Sequence, residues 1–61
     1  MYTVYDCFNI VVYEGTYKEC LSWIMQFADT LPNGNKFFRY WKEDGYTYYD
    51  VGRVYHILTP S

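Results

Sequence analysis

Side chains able to do chemistry are few in this chain and poorly placed for it. His56 is the single histidine, and the two cysteines, Cys7 and Cys20, form no CxxC pair and lie far from it in sequence. A zinc-type site needs a close-spaced set of nitrogen and sulfur ligands, so no metal centre is expected. His56 instead reads as a strand histidine at a surface or sheet edge. A nucleophilic cysteine needs a base and a group to orient that base. Cys20 falls on an apolar stripe, where a thiol acts as a small core hydrophobe. Cys7 falls in a turn, exposed and without a base nearby in sequence. Both are expected as reduced thiols, a Cys7–Cys20 bridge being the alternative in an oxidising compartment. The acids pair as Glu43-Asp44 and as Glu14 with Glu19. The first pair sits in a hairpin turn; the second flanks a helix start, where carboxylates complement the helix dipole. Gly15, Gly34, Gly45 and Gly52 punctuate elements and build no phosphate loop. Neither catalysis nor a cofactor is expected.

The elements follow from local pattern. Tyr2 to Asp6 and Ile10 to Glu14 alternate and are rich in β-formers. Between them, Asp6-Cys7-Phe8-Asn9 fits a type I turn with Asn9 left-handed, which predicts a hairpin with a bulge. After Gly15, Thr16 is a good N-cap, and Glu19 completes a capping box. The helix is expected to run to about Asp29 or Thr30. Tyr17, Cys20, Leu21, Ile24, Phe27 and Ala28 share its apolar stripe, with Trp23 and Met25 on the rims. Leu31 packs as the chain leaves, Pro32 bars further helix, and Asn33-Gly34 supplies a turn.

Asp44-Gly45 between two β-rich runs predicts a two-residue type I′ hairpin. Val54 to Leu58 is expected to extend its second strand past a bend at Gly52, and the tail Thr59 to Ser61 to fray. The fold class is therefore α+β, in the order ββαββ. One helix packs on one face of an antiparallel sheet of about four strands, in a single domain spanning all 61 residues.

The hairpin turn fixes a register, and opposite residues share a face. Arg39 faces Asp50, Tyr40 faces Tyr49, Trp41 faces Tyr48, Lys42 faces Thr47 and Glu43 faces Tyr46, with Phe38 opposite Val51 beyond them. Phe38, Tyr40, Tyr49 and Val51 then read as core under the helix. The other face carries Arg39, Trp41, Tyr46, Tyr48 and Asp50, and its three aromatic rings are left in water because the single helix is spent opposite. The charge-complementary Arg39–Asp50 pair supports this register. An aromatic sheet face is normally covered by something. These five residues are the candidate binding or interface site, with Trp23 and Arg53 as further candidates.

Composition sharpens the question of what covers that face. Nine tyrosines stand among 61 residues, and 25% of the chain is aromatic. A chain this short buries only about 60% of its unfolded surface, so a second copy would help it fold. The formal charge is −2, with no basic block, so duplex DNA is not an expected partner. Seven scattered carboxylates are too few for a DNA mimic. No apolar run reaches the ~18 residues of a membrane span, and the N-terminus has no signal-peptide pattern. A cytoplasmic location is expected. Three occupants of the aromatic face remain open: a second copy in a homodimer, another protein, or a nucleotide or single-stranded nucleic acid stacked on the rings. In the last case Arg39 and Arg53 would meet phosphate.

The stretch IVVYEGTYKECLSWI, Ile10 to Ile24, resembles a strand–turn–helix pattern of short proteins encoded by phages and prophages of Gram-positive bacteria. RYWKEDGYTYYDVG, Arg39 to Gly52, has the same character. The resemblance transfers no catalytic residue. It implies a small inhibitor, sometimes dimeric, that binds a host protein such as a defence factor in the host cytoplasm.

Overall fold

A computed structural model describes residues 1–59. Its first hairpin is held by Asp6, whose carboxylate accepts the amides of Phe8 (2.8 Å) and Ile10 (3.0 Å) while its carbonyl accepts that of Asn9 (3.0 Å). Asn9 takes the left-handed conformation the turn requires, at φ 63°. This turn joins β1 (Tyr2–Tyr5) to β2 (Val11–Gly15), and the register slips at Val12, which makes the anticipated bulge. Thr16 then caps α1 (Tyr17–Met25). Its hydroxyl accepts the Glu19 amide at 3.1 Å, and the Glu19 carboxylate accepts the Thr16 amide at 2.9 Å. Two otherwise orphaned donors at the helix start are thereby satisfied.

The helix stops a turn earlier than its apolar stripe predicts, at Met25 rather than Asp29 or Thr30. The amides of Phe27 and Ala28 reach back only three residues, to the carbonyls of Ile24 and Met25. This tighter turn drops Ala28 into the core, leaves Phe27 exposed, and frees the next residues for strand pairing. A two-stranded ribbon results that periodicity did not anticipate: β3 (Asp29–Thr30) against β4 (Lys36–Phe37). Its loop uses the expected Asn33-Gly34 turn, with Gly34 at φ 89° donating to the Leu31 carbonyl.

β5 (Arg39–Glu43) and β6 (Tyr46–Asp50) form the Asp44-Gly45 hairpin, with positive φ of 50° and 82° at the two turn residues, as a type I′ turn demands. All five cross-strand pairs from Arg39–Asp50 to Glu43–Tyr46 occur in the predicted register. The next segment corrects the expectation. Val54–Leu58 does not prolong β6 but returns beside it as a separate antiparallel strand, β7. The reversal takes three residues, Val51 to Arg53. Gly52 is left-handed at φ 97°, its amide donates to the Asp50 carboxylate, and the Val51 amide donates to the Arg53 carbonyl. β7 also pairs with β1, so the sheet has five strands rather than about four, in the order β2-β1-β7-β6-β5. Pro60 and Ser61 lie outside the described residues. Thr59 does not fray: its amide donates to the Gly45 carbonyl at 2.8 Å, and its hydroxyl meets that of Thr47 at 2.7 Å.

The core lies between α1 and one sheet face. Cys20, Ile24 and Ala28 meet Val4, Tyr49, Val51, Tyr55 and Ile57 there. The stripe residues Tyr17 and Leu21 and the rim residues Trp23 and Met25 pack around it half-buried. The Tyr17 and Tyr49 hydroxyls hydrogen-bond to each other, which supplies the partner a buried tyrosine needs. Phe38 and Tyr40 share this face but are not core, being 37% and 64% exposed. The short helix packs over β2 and β1 and does not extend across the sheet to the edge strand β5. Among the described residues, no helix is long and apolar enough to cross a membrane.

The capping box is the main local specification of α1. Thr16→Ala is therefore expected to lower the unfolding free energy by about 1 kcal/mol, read as a reduced urea midpoint at unchanged m-value.

Candidate functional site

Strand parity assembles the helix-free face. From β5 it takes Arg39, Trp41 and Glu43; from β6, Tyr46, Tyr48 and Asp50; from β7, Val54, His56 and Leu58; from β1, Tyr5. The rings meet directly across strands. Trp41 stacks on Tyr48 with centroids 5.4 Å apart and planes within 3°, Tyr48 stacks on His56 at 4.9 Å, and His56 stacks on Tyr5 at 5.4 Å. Tyr46 closes the row from the side, its ring 5.1 Å from His56 and nearly perpendicular to it. One row of four stacked rings thus crosses four adjacent strands. Such contacts contribute ~0.5–1.5 kcal/mol each beyond the area they bury.

Two expectations change here. Trp41, Tyr46 and Tyr48 are not simply left in water: they shield one another, so that Tyr46 and Tyr48 are half-buried and Trp41, at the sheet margin, is 39% exposed. His56 is neither a surface nor an edge residue. It sits on the central strand beneath three tyrosine rings, 6% exposed, with Nδ1 buried and without a hydrogen-bond partner among the described residues. Burial holds the imidazole below its ordinary pKa, and the Asp6 carboxylate opposes this only in part.

The remaining candidates divide by position. Arg39 donates to the Asp50 carboxylate at 2.9 Å, flanking the exposed end of the row. That bond, together with the Gly52 amide, holds Asp50 below the usual carboxylate range. Trp23 belongs to the opposite face, stacked on Tyr13 at 5.6 Å and edge-on to Tyr55. Arg53 is exposed in the β6–β7 loop, lining a cavity with Asp6, Cys7 and Phe8. The structure therefore brings together five of the seven candidates and separates Trp23 and Arg53 from them. Tyr5 and His56 complete the row but were not among the candidates. Their parity with Tyr48 becomes visible only once β7 is known to lie between β6 and β1.

A second apolar feature lies on the helix side. Leu21, Met25, Phe38, Tyr40 and Tyr49 line an open groove of roughly 320 Å³ between α1 and β5. Both cysteines are free, Cys20 buried and Cys7 exposed; burial raises the Cys20 thiol pKa. Among the described residues, no three His, Cys, Asp or Glu side chains gather as a metal-binding group. What the sheet face offers chemically is stacking, edge-on aromatic contact and one guanidinium–carboxylate pair. Comparison with protein families, curated proteins and solved structures finds no match to the chain.

The buried imidazole gives the fold a pH dependence of definite sign. In the unfolded chain His56 titrates near its ordinary value of 6.5, whereas the folded state resists the proton. Stability is then complete above that pH and declines as pH falls through it. Urea midpoints should fall between pH 7.5 and pH 5.5, a window above the carboxylate titrations. His56→Phe should flatten that decline while keeping the stack.

Proposed function

We propose that this chain is a non-enzymatic binding protein that works as a homodimer and presents the helix-free aromatic face to another protein. The observation that carries the reading is the cross-strand row ending at Trp41. It is a rigid set of rings, fixed by their neighbours before any partner arrives, with its outer member still open to solvent. Preordered aromatic side chains make strong interface anchors because little rotamer freedom is lost on docking. Arg39 and Asp50 beside Trp41 supply a polar rim. The resemblance of Ile10 to Ile24 to short phage-encoded proteins favours a host protein as partner and inhibition as the effect, with the host cytoplasm as the setting.

Immobilised protein should retain one discrete host protein from a bacterial lysate. Trp41→Ala and Tyr48→Ala should reduce that retention at least about tenfold, the loss typical of a hot-spot residue, while the far-UV circular dichroism stays unchanged. Equal retention by both variants would count against the face. Quenching of tryptophan fluorescence by mono-, cyclic or oligonucleotides, abolished in Trp41→Ala, would move the assignment to a nucleotide or single-stranded nucleic acid.

A further inference from the structure

The two edges of the sheet differ. β2 is bulged at Val12 and runs straight into the capped helix, which spoils it for pairing. β5 is regular, and all five of its residues are exposed. Its main-chain polarity follows from its neighbours. The Gly45 carbonyl accepts from Thr59, and the Val51 amide donates to the Arg53 carbonyl, so odd-numbered residues of β6 turn their main chain towards β7. Alternation then assigns Tyr46, Tyr48 and Asp50 to β5, where they engage Glu43, Trp41 and Arg39. Tyr40 and Lys42 are left with amide and carbonyl pointing outward.

We infer that two copies of this chain join edge to edge through β5, antiparallel, with Trp41 opposite Trp41 about a two-fold axis normal to the sheet. The inference rests on the homodimer reading above and specifies its interface. In this register Tyr40 and the second copy's Lys42 exchange main-chain hydrogen bonds, and so do Lys42 and the second copy's Tyr40, which uses the outward groups. Arg39 lies opposite the second copy's Glu43 at both ends. Glu43 has no ion-pair partner within its own chain among the described residues, and the Arg39 side chain is 77% exposed, with donors to spare beyond the one held by Asp50. Each Lys42 ammonium also comes beside a Tyr40 ring, a cation–π arrangement.

Charge selects this register among those the outward groups allow. Centring the axis on Tyr40 sets Arg39 against Trp41 and carries Glu43 past the end of the strand. Centring it on Lys42 sets two ammonium groups face to face. Only the Trp41-centred register sets Arg39 opposite Glu43 at both ends and keeps the two Lys42 ammonium groups apart. The axis also keeps both helix-free faces on one side. Each row from Tyr5 through His56 and Tyr48 to Trp41 meets its copy at the Trp41 pair, where opposed Cα atoms come within about 4.5 Å. The binding face is thereby doubled rather than hidden.

Sedimentation equilibrium and amide hydrogen exchange test this together. The wild-type chain should be dimeric at high micromolar concentration, with the Tyr40 and Lys42 amides gaining protection as concentration rises. Glu43→Arg and Arg39→Glu should each raise the dimer dissociation constant at least about tenfold, since each places like charges opposite one another at both ends. An equimolar mixture of the two variants should regain the dimer, because both end pairs are then Arg with Glu. A wild-type monomer at that concentration would overturn both the homodimer reading and this interface. A wild-type dimer that both variants leave intact, with Tyr40 and Lys42 amides exchanging freely, would overturn the β5 pairing alone and leave the homodimer standing by another surface.

Discussion

One short helix must cover a wide sheet, and the rest of the structure adjusts to that mismatch. Nine helical residues give a rod about 13 Å long. Five strands at ~4.8 Å spacing span about 19 Å from the first to the last. α1 therefore buries one face over part of the sheet's width, and the remaining apolar surface has to find its own cover. On the helix-free face the cover is aromatic self-contact: Tyr5, Tyr46 and Tyr48 pack around His56 and bury it without a second layer. On the helix side the mismatch leaves Phe38 and Tyr40 beyond the reach of α1, which opens the groove there.

Features written into short stretches were legible in the sequence. Asp6-to-Asn9, Thr16-to-Glu19 and Asp44-Gly45 each specify a turn or cap through their own side chains or backbone preferences, and each forms as anticipated. The hairpin register followed from Asp44-Gly45 alone, and with it the division of Tyr46 and Tyr48 from Tyr49. What depended on contacts distant in sequence was not legible. The helix end was overridden by the need to seat Ala28 and to pair Asp29 with Phe37. A signal for the last strand did exist: Asp50 with Gly52 two residues on is the chemistry of an Asx-turn, the carboxylate accepting the glycine amide and the glycine supplying the positive φ of a reversal. A mere bend at Gly52 would leave no strand between β6 and β1 and no central place for His56.

That central place matters for the site. A histidine on an edge strand is an unremarkable solvated group, whereas at the middle of the sheet it becomes the ring that links Tyr48 to Tyr5. The row is continuous because His56 is flat and aromatic, stacking on Tyr48 and Tyr5 at once. An Nδ1 without a partner among the described residues is the cost of using an imidazole there. The sheet face thus couples shape and protonation: the same burial that orders the rings disfavours the charged imidazole.

The bulge at Val12 has a meaning beyond the hairpin that contains it. A sheet with two regular edges can add copies at both sides without limit, which is the geometry of a growing fibre. Here one side is kinked and leads into the helix, while the other is straight. In the edge pairing proposed above, both copies use this straight side, so the symmetry would close at two. An extra residue in one strand would then act as a chain terminator for assembly, leaving β5 as the one straight edge able to pair.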